Sequence, residues 1–264
     1  MMKKEQLSTF KTWFTEYAAT FYTAGDDFLN RNILLKECHT HRVCNEMRQL
    51  AGALEMKGSD VLLAEVIALF HDVGRFPQFK QYRTYKDTIS ENHCLLALRV
   101  LAEHDVLAEL PDDERVVIEN AIEFHGAREL PLLDERTMHF AKMIRDADKI
   151  DIFDLLAANY RILAEEPEKF LWELEFPDTP ECSPEIIDAL LNRRLIDYHK
   201  IRTVNDAKLL QIGWVYDVYF DWSIKQIHDR GYLETIIDLL PKTEQINQVS
   251  CHIMDYVQTR IRSD

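Results

Sequence analysis

Apolar residues recur at i, i+3 and i+4 along almost the whole chain, and strict alternation is rare. That period belongs to amphipathic helices rather than half-buried strands. It predicts helices over roughly 5–23, 27–37, 39–56, 60–71, 88–103, 112–125, 135–164, 184–199, 204–230 and 243–261. The polar punctuation agrees with several of these bounds. Gly58-Ser59-Asp60 separates two helices, and Pro111 followed by Asp112, Asp113 and Glu114 supplies an acidic first turn that suits the helix dipole. Gly126 stands where a residue just past a helix end should follow His125, and Ser183-Pro184-Glu185 reads as N-cap, N1 and N2. Two segments resist a helical reading: 73–87, and 172–182 with Pro177 and Pro180. With no Ser/Gly-rich linker and no internal repeat, the chain reads as a single all-α domain over 1–264, its last part a C-terminal helical extension.

Composition supports the helical reading. Seven glycines in 264 residues, against a usual share of about 7%, leave few of the tight turns that a many-stranded sheet requires. A hydrophobic share of 47% is too high for disorder. No uninterrupted apolar run exceeds the five residues of Val66 to Phe70, well short of the ~20 of a membrane-spanning helix, so no membrane partner is expected. The N-terminal stretch carries lysines without an apolar leader segment, and five cysteines without a C-x-x-C pair argue against a disulfide framework or a zinc knuckle. A reduced, cytoplasmic setting is the expectation. The net charge of −15 repels polyanions such as duplex nucleic acid, but leaves room for a small anion at a locally positive site.

The histidines change the picture. His39 shares a helix face with Val43, Met47 and Leu50; His71 with Ala64, Ile67 and Ala68; His93 with Ile89, Ala97 and Val100; His125 with Ile118, Ala121 and Ile122. Asp148 falls among Ala141, Ile144, Ile152 and Leu155. One buried histidine usually just has a hydrogen-bonded partner. A buried carboxylate needs a partner, because an unpaired charge in low dielectric costs several kcal/mol. Together these groups form a nitrogen and oxygen set suited to divalent metals, with no thiolate among them. His71 and Asp72 are neighbours, which on a helix diverge by about 100°, so they reach one site only at a helix tip, the ending being supplied by Gly74. An aspartate there can offer its two oxygens to two ions.

The ordered stretches HTHRV, FHDVGRF, SENH, EFHG and IRDADKID resemble the successive motifs of the HD superfamily of metal-dependent phosphohydrolases, over about residues 35–155. The segment GRFPQFKQYRTYKD and the helices beyond 155 also resemble a bacterial subgroup of that superfamily. The resemblance implies that His39, His71, Asp72 and Asp148 hold one metal, and that His93 and His125 join Asp72 at a second. The cofactor it implies is a pair of divalent ions drawn from Mn, Fe, Ni, Co, Zn or Mg. His39 and His41 both precede Arg42-Val43; the family spacing H-x-x-R-V selects His39, as does the helix face. Asp146 competes with Asp148 in the same way, and A-D-K-x-D favours Asp148. The G-Y-P signature of cyclic-di-GMP phosphodiesterases in this superfamily is absent.

Two divalent ions, less the charges of Asp72, Asp148 and a bridging hydroxide, leave about +1 at such a site, enough to draw a phosphoester despite the global charge. Asp72, Arg75 and Lys149 are the candidates for catalysis, the metal-bridging hydroxide being the expected nucleophile. Arg75, Lys80, Arg83 and Arg128 are the candidates for holding a small anionic phosphoester, a nucleotide or related metabolite. The same ligand set also resembles that of mixed-valent di-iron oxygenases within the superfamily. A non-catalytic signalling module is the remaining alternative, disfavoured because no ligand position is lost.

Overall fold

The computed structural model describes residues 1–170 and 174–262, so residues 172 and 173 of the predicted irregular stretch 172–182 lie outside the described residues. Among the described residues the protein is helical throughout, with no strand. Two compact units divide between Asp148 and Lys149, the first being Met1–Asp148 and the second Lys149–Asp264.

The first unit holds α1 (Lys4–Ala19), α2 (Asp27–Ala53), α3 (Ser59–Phe70), α4 (Arg75–Tyr82), α5 (His93–Glu103), α6 (Asp112–Phe124) and the start of α7 (Glu135–Glu165). Its centre is α3, which packs against α1, α2 and α6. Every side chain from Leu63 to Phe70 on α3 is buried. The stretch includes the uninterrupted apolar run Val66–Phe70, and a helix apolar on nearly all sides belongs inside a bundle. Its one acid there, Glu65, is paired with Lys11 at 2.6 Å. Phe70 packs edge-on against Phe10, with centroids 5.5 Å apart, and Phe14 meets Phe76 at 5.8 Å. Each such fully buried aliphatic or aromatic side chain contributes about 2 kcal/mol.

Several predicted boundaries change. The break at residue 38 does not exist, because α2 runs unbroken through it; nothing in the sequence there removes a hydrogen bond. The segment 73–87, read as irregular, contains α4. Pro77 misled the reading, for it lies in the first turn of that helix, where the missing N–H would have had no partner in any case. Gly74, expected to supply the ending of α3, stands in a right-handed conformation directly before α4. A Cβ there would lie 2.4 Å from the His93 carbonyl oxygen and 2.5 Å from the Ala97 nitrogen, so its task is to let two backbones approach.

The second unit has its own core. Ile186, Leu190, Leu209, Ile212, Ile224, Ile227, Ile253 and Val257 are buried in one cluster, built from α8 (Pro184–Leu191), α9 (Val204–Ile212), α10 (Asp221–Asp229), α11 (Tyr232–Asp238) and α12 (Glu244–Arg262). Ser183-Pro184 begins α8 as predicted. The long helix expected over 204–230 is split by a 3-10 turn, Gly213–Asp217. Close packing selects glycine at that split, where a Cβ would meet Leu190 Cδ2 at 2.6 Å.

Candidate metal centre

Five elements of the first unit bring the predicted side chains together. His39 sits in the middle of α2, His71 and Asp72 follow the last turn of α3, His93 opens α5, His125 closes α6, and Asp148 lies on α7. The four histidines are buried, as is Asp72, while Asp148 keeps 18% of its side chain exposed. His41, the alternative to His39, is exposed and packs edge-on against Phe14.

The six groups form two clusters sharing one residue. In the first, His39 Nε2 and His71 Nε2 face each other at 3.3 Å. Asp148 Oδ1 lies 3.1 Å from His39 Nε2 and 3.8 Å from His71 Nε2. In the second, His93 Nε2 and His125 Nε2 face each other at 3.1 Å. Asp72 straddles both: its Oδ2 is 3.4 and 3.6 Å from His39 and His71, and its Oδ1 is 3.7 and 3.8 Å from His93 and His125.

The inward direction of these nitrogens is fixed by what the other ring nitrogen does. His71 Nδ1 donates to the Ala68 carbonyl at 2.8 Å, and His125 Nδ1 to the Ile122 carbonyl at 2.7 Å. Each ring is thus held by the last turn of its own helix. His93 Nδ1 donates to Asp87 Oδ2 at 2.6 Å. With Nδ1 as the donor, Nε2 carries the lone pair. Two neutral imidazoles cannot hydrogen-bond through facing lone pairs, so a proton or a cation must stand between His93 and His125.

The electrostatics are those of a cation site. Burial holds the His71 imidazole down at about 4, keeping it neutral. Burial also opposes charge on His125, but Cys94 and Asp72 beside it raise it well above its ordinary value. Burial would raise Asp72, yet Lys36 and the surrounding histidines hold it well below the usual carboxylate range, and Asp148 is held low in the same way by His39 and His71. Asp148 Oδ1 is buried with no hydrogen-bond donor aligned to it. Ionised carboxylates, the neutral His71 imidazole and a buried carboxylate oxygen are donors that divalent cations take, and a cation at the second cluster would displace the proton held by His125. The groups present therefore fit the binding of divalent metal.

A family model described as HD domain matches residues 37–152. This segment is an HD domain. Searches among curated proteins and among solved structures found no match. The HD domain begins inside α2 and ends inside α7, so it encloses every residue from His39 to Asp148. Its buried His/Asp groups are those of a metal site of this family.

Four of the five cations predicted around the HD motifs have partners within the protein. Arg75 Nη1 donates to Asp87 Oδ1 at 2.9 Å, to Gln78 Oε1 at 2.8 Å and to the Tyr85 carbonyl at 2.7 Å, and its Nε lies 3.4 Å from Asp72 Oδ1. It ties the shared aspartate to the aspartate that orients His93. Arg83 pairs with Asp26 at 2.6 Å, and Lys80 lies over the Phe21 ring, 5.3 Å from its centroid. Arg128 is exposed, three residues past His125. In the second unit, Lys149 Nζ is 2.8 Å from the Asp217 carboxylate and donates to the Asp217 carbonyl.

Four residues near the clusters escaped the sequence reading. Lys36, one turn before His39 on α2, places its ammonium 2.7 Å from Asp72 Oδ2; its i, i+3 spacing from His39 was the available signal. Arg145 donates to the carbonyls of Phe124, His125 and Ala127, closing the end of α6 that carries His125. Asp87 lies in the stretch read as a loop. Cys94 has its Sγ 3.4 Å from His93 Nε2 and 3.5 Å from His125 Nδ1, and was passed over because it has no partner cysteine.

Proposed function

We propose that this HD domain is a metal-dependent hydrolase of a phosphate mono- or diester, a nucleotide or related phosphorylated metabolite being the substrate. Its cofactor would be two divalent cations, one held by His39, His71, Asp148 and Asp72 Oδ2, the other by His93, His125 and Asp72 Oδ1. The observation that carries this reading is the division of the two Asp72 oxygens between two histidine pairs. Ions so held supply a water acid enough to attack near neutral pH and Lewis-acid stabilisation of the phosphoryl oxygens.

The chain's own residues have defined tasks in this scheme. Asp72, kept ionised by Lys36, would set the spacing of the two positions. Asp87 fixes the His93 ring so that Nε2 points inward, and Arg75 holds Asp87 and Asp72 in register, a positioning task in place of direct contact with substrate. Arg128, exposed beside the end of α6, is the cation we assign to the distal charge of the substrate. Lys80, Arg83 and Lys149 keep the partners described above and have no part in the proposed chemistry.

The test is a screen of the metal-reconstituted full chain against nucleotides, dinucleotides and sugar phosphates, with phosphate release as the readout. Turnover with redox-inert Mg²⁺ or Zn²⁺ is the expected result and excludes a di-iron oxygenase. Purified protein that takes up none of Mn, Fe, Ni, Co, Zn or Mg, or takes them up and cleaves no phosphoester, would defeat the reading.

A further inference from the structure

The two clusters differ in their chemistry. The first collects two imidazoles and two carboxylate oxygens, from Asp148 and Asp72. The second has two imidazoles and a single carboxylate oxygen, Asp72 Oδ1. Beside His93 Nε2 lies Cys94, 2% exposed. The polar neighbours of its sulfur are ring nitrogens, His93 Nε2 at 3.4 Å and His125 Nδ1 at 3.5 Å. Cys44, equally buried, faces instead the carbonyl oxygen of Glu65 at 3.8 Å.

Two further observations mark Cys94 as part of the cluster. A nitrogen and a thiolate sulfur bound tetrahedrally to one ion, at about 2.0–2.1 and 2.3 Å respectively, lie about 3.5 Å apart, the separation found between His93 Nε2 and Cys94 Sγ. Gly126 also lies against both side chains. A Cβ there would stand 3.0 Å from His93 Cε1 and 3.2 Å from Cys94 Sγ, so glycine lets His93 and Cys94 lie side by side.

We propose that Cys94 is a ligand of the second ion, which makes the centre chemically unequal: nitrogen and oxygen donors at the His39/His71 position, nitrogen, oxygen and sulfur at the His93/His125 position. This rests on the reading that both clusters hold cations. On binding, the thiol S–H bond breaks, the proton leaves to solvent, and the sulfur electron pair forms the bond to the ion. Soft thiolate favours zinc, cobalt or iron over magnesium and manganese, whereas the first position, with its two carboxylates, accepts the harder ions. A centre with two different metals follows.

The full chain loaded with Co²⁺ tests this. The wild type should bind two ions and show the near-ultraviolet sulfur-to-cobalt charge-transfer band. Cys94→Ser should lose that band while keeping the visible ligand-field bands, and its second position should lose about 10- to 100-fold in its preference for Zn²⁺ over Mn²⁺. X-ray absorption on the Zn²⁺-loaded wild type needs no variant and should show a sulfur shell at about 2.3 Å. Two bound cobalt ions without a charge-transfer band, the same band in Cys94→Ser, or no sulfur shell would each overturn the assignment of Cys94 while leaving the two-cation centre intact. A wild-type chain that binds no cobalt or zinc would overturn both.

Discussion

The Lys36 ammonium lies 2.7 Å from Asp72 Oδ2, the same oxygen that faces His39 and His71. A positive charge thus already stands on the first cluster's side of the shared carboxylate, with the lysine 16% and the aspartate 4% exposed in their side chains. Lys36→Met leaves Asp72 buried without its main counter-charge, and the metal-free protein should lose about 3 kcal/mol in urea unfolding. Metal ions supply the missing charge, so the loss should shrink at saturating Zn²⁺ and metal affinity should rise. An equal loss with and without metal would show that Lys36 acts only on folding.

Asp72 and Asp148 should separate in metal analysis. Asp72→Asn removes a charge shared by both clusters and should lower bound metal at both positions, with activity lost. Asp148→Asn touches only the first cluster, so one equivalent of metal should remain. Wild-type metal content in Asp72→Asn would show that this aspartate does not bridge.

Asp87 gives the protein a pH dependence with a defined sign. Burial would raise its carboxyl, but His93 and Arg75 hold it at about 2 against an ordinary 3.8. The folded state therefore binds this proton less readily than the unfolded chain, so the stabilisation is complete above about pH 4 and is lost as pH falls through about 2. A shift of this size in a carboxylate still partly open to solvent is worth about 1–2 kcal/mol. Asp87→Asn should lose that amount at pH 7 and almost nothing near pH 2. It should also weaken the second ion about tenfold, through a freer His93 ring, which titration calorimetry would report.

Gly74→Ala tests the close approach of α4 to α5. The added carbon would collide with backbone atoms of His93 and Ala97, neither of which can swing aside as a side chain can. A loss of about 3 kcal/mol or more is expected in thermal or urea unfolding. Metal affinity at the second cluster should fall with it, because the same backbone carries His93. A substitution within 0.5 kcal/mol of the wild type would mean that the approach is looser than described.

The sequence by itself determined the helical class, most helix positions and the convergence of His39, His71, Asp72, His93, His125 and Asp148. These are local matters: apolar period fixes which face of each helix turns inward, and a polar group on that face has to meet another. The family resemblance, not the apolar period, implied how the six groups divide, and only the tertiary structure supplies the distances between them. That Asp72 gives one oxygen to each histidine pair depends on where α3 ends relative to α5 and α6, and spacing along a chain carries no such distance. The same holds for Arg75, whose guanidinium the sequence left free for phosphate and which the fold of 75–87 turns towards Asp87. Cys94 was silent in the sequence and Lys36 nearly so, its spacing from His39 aside, because a lone cysteine in an apolar stretch or a lone lysine on a helix acquires chemistry only from the neighbours that packing brings to it.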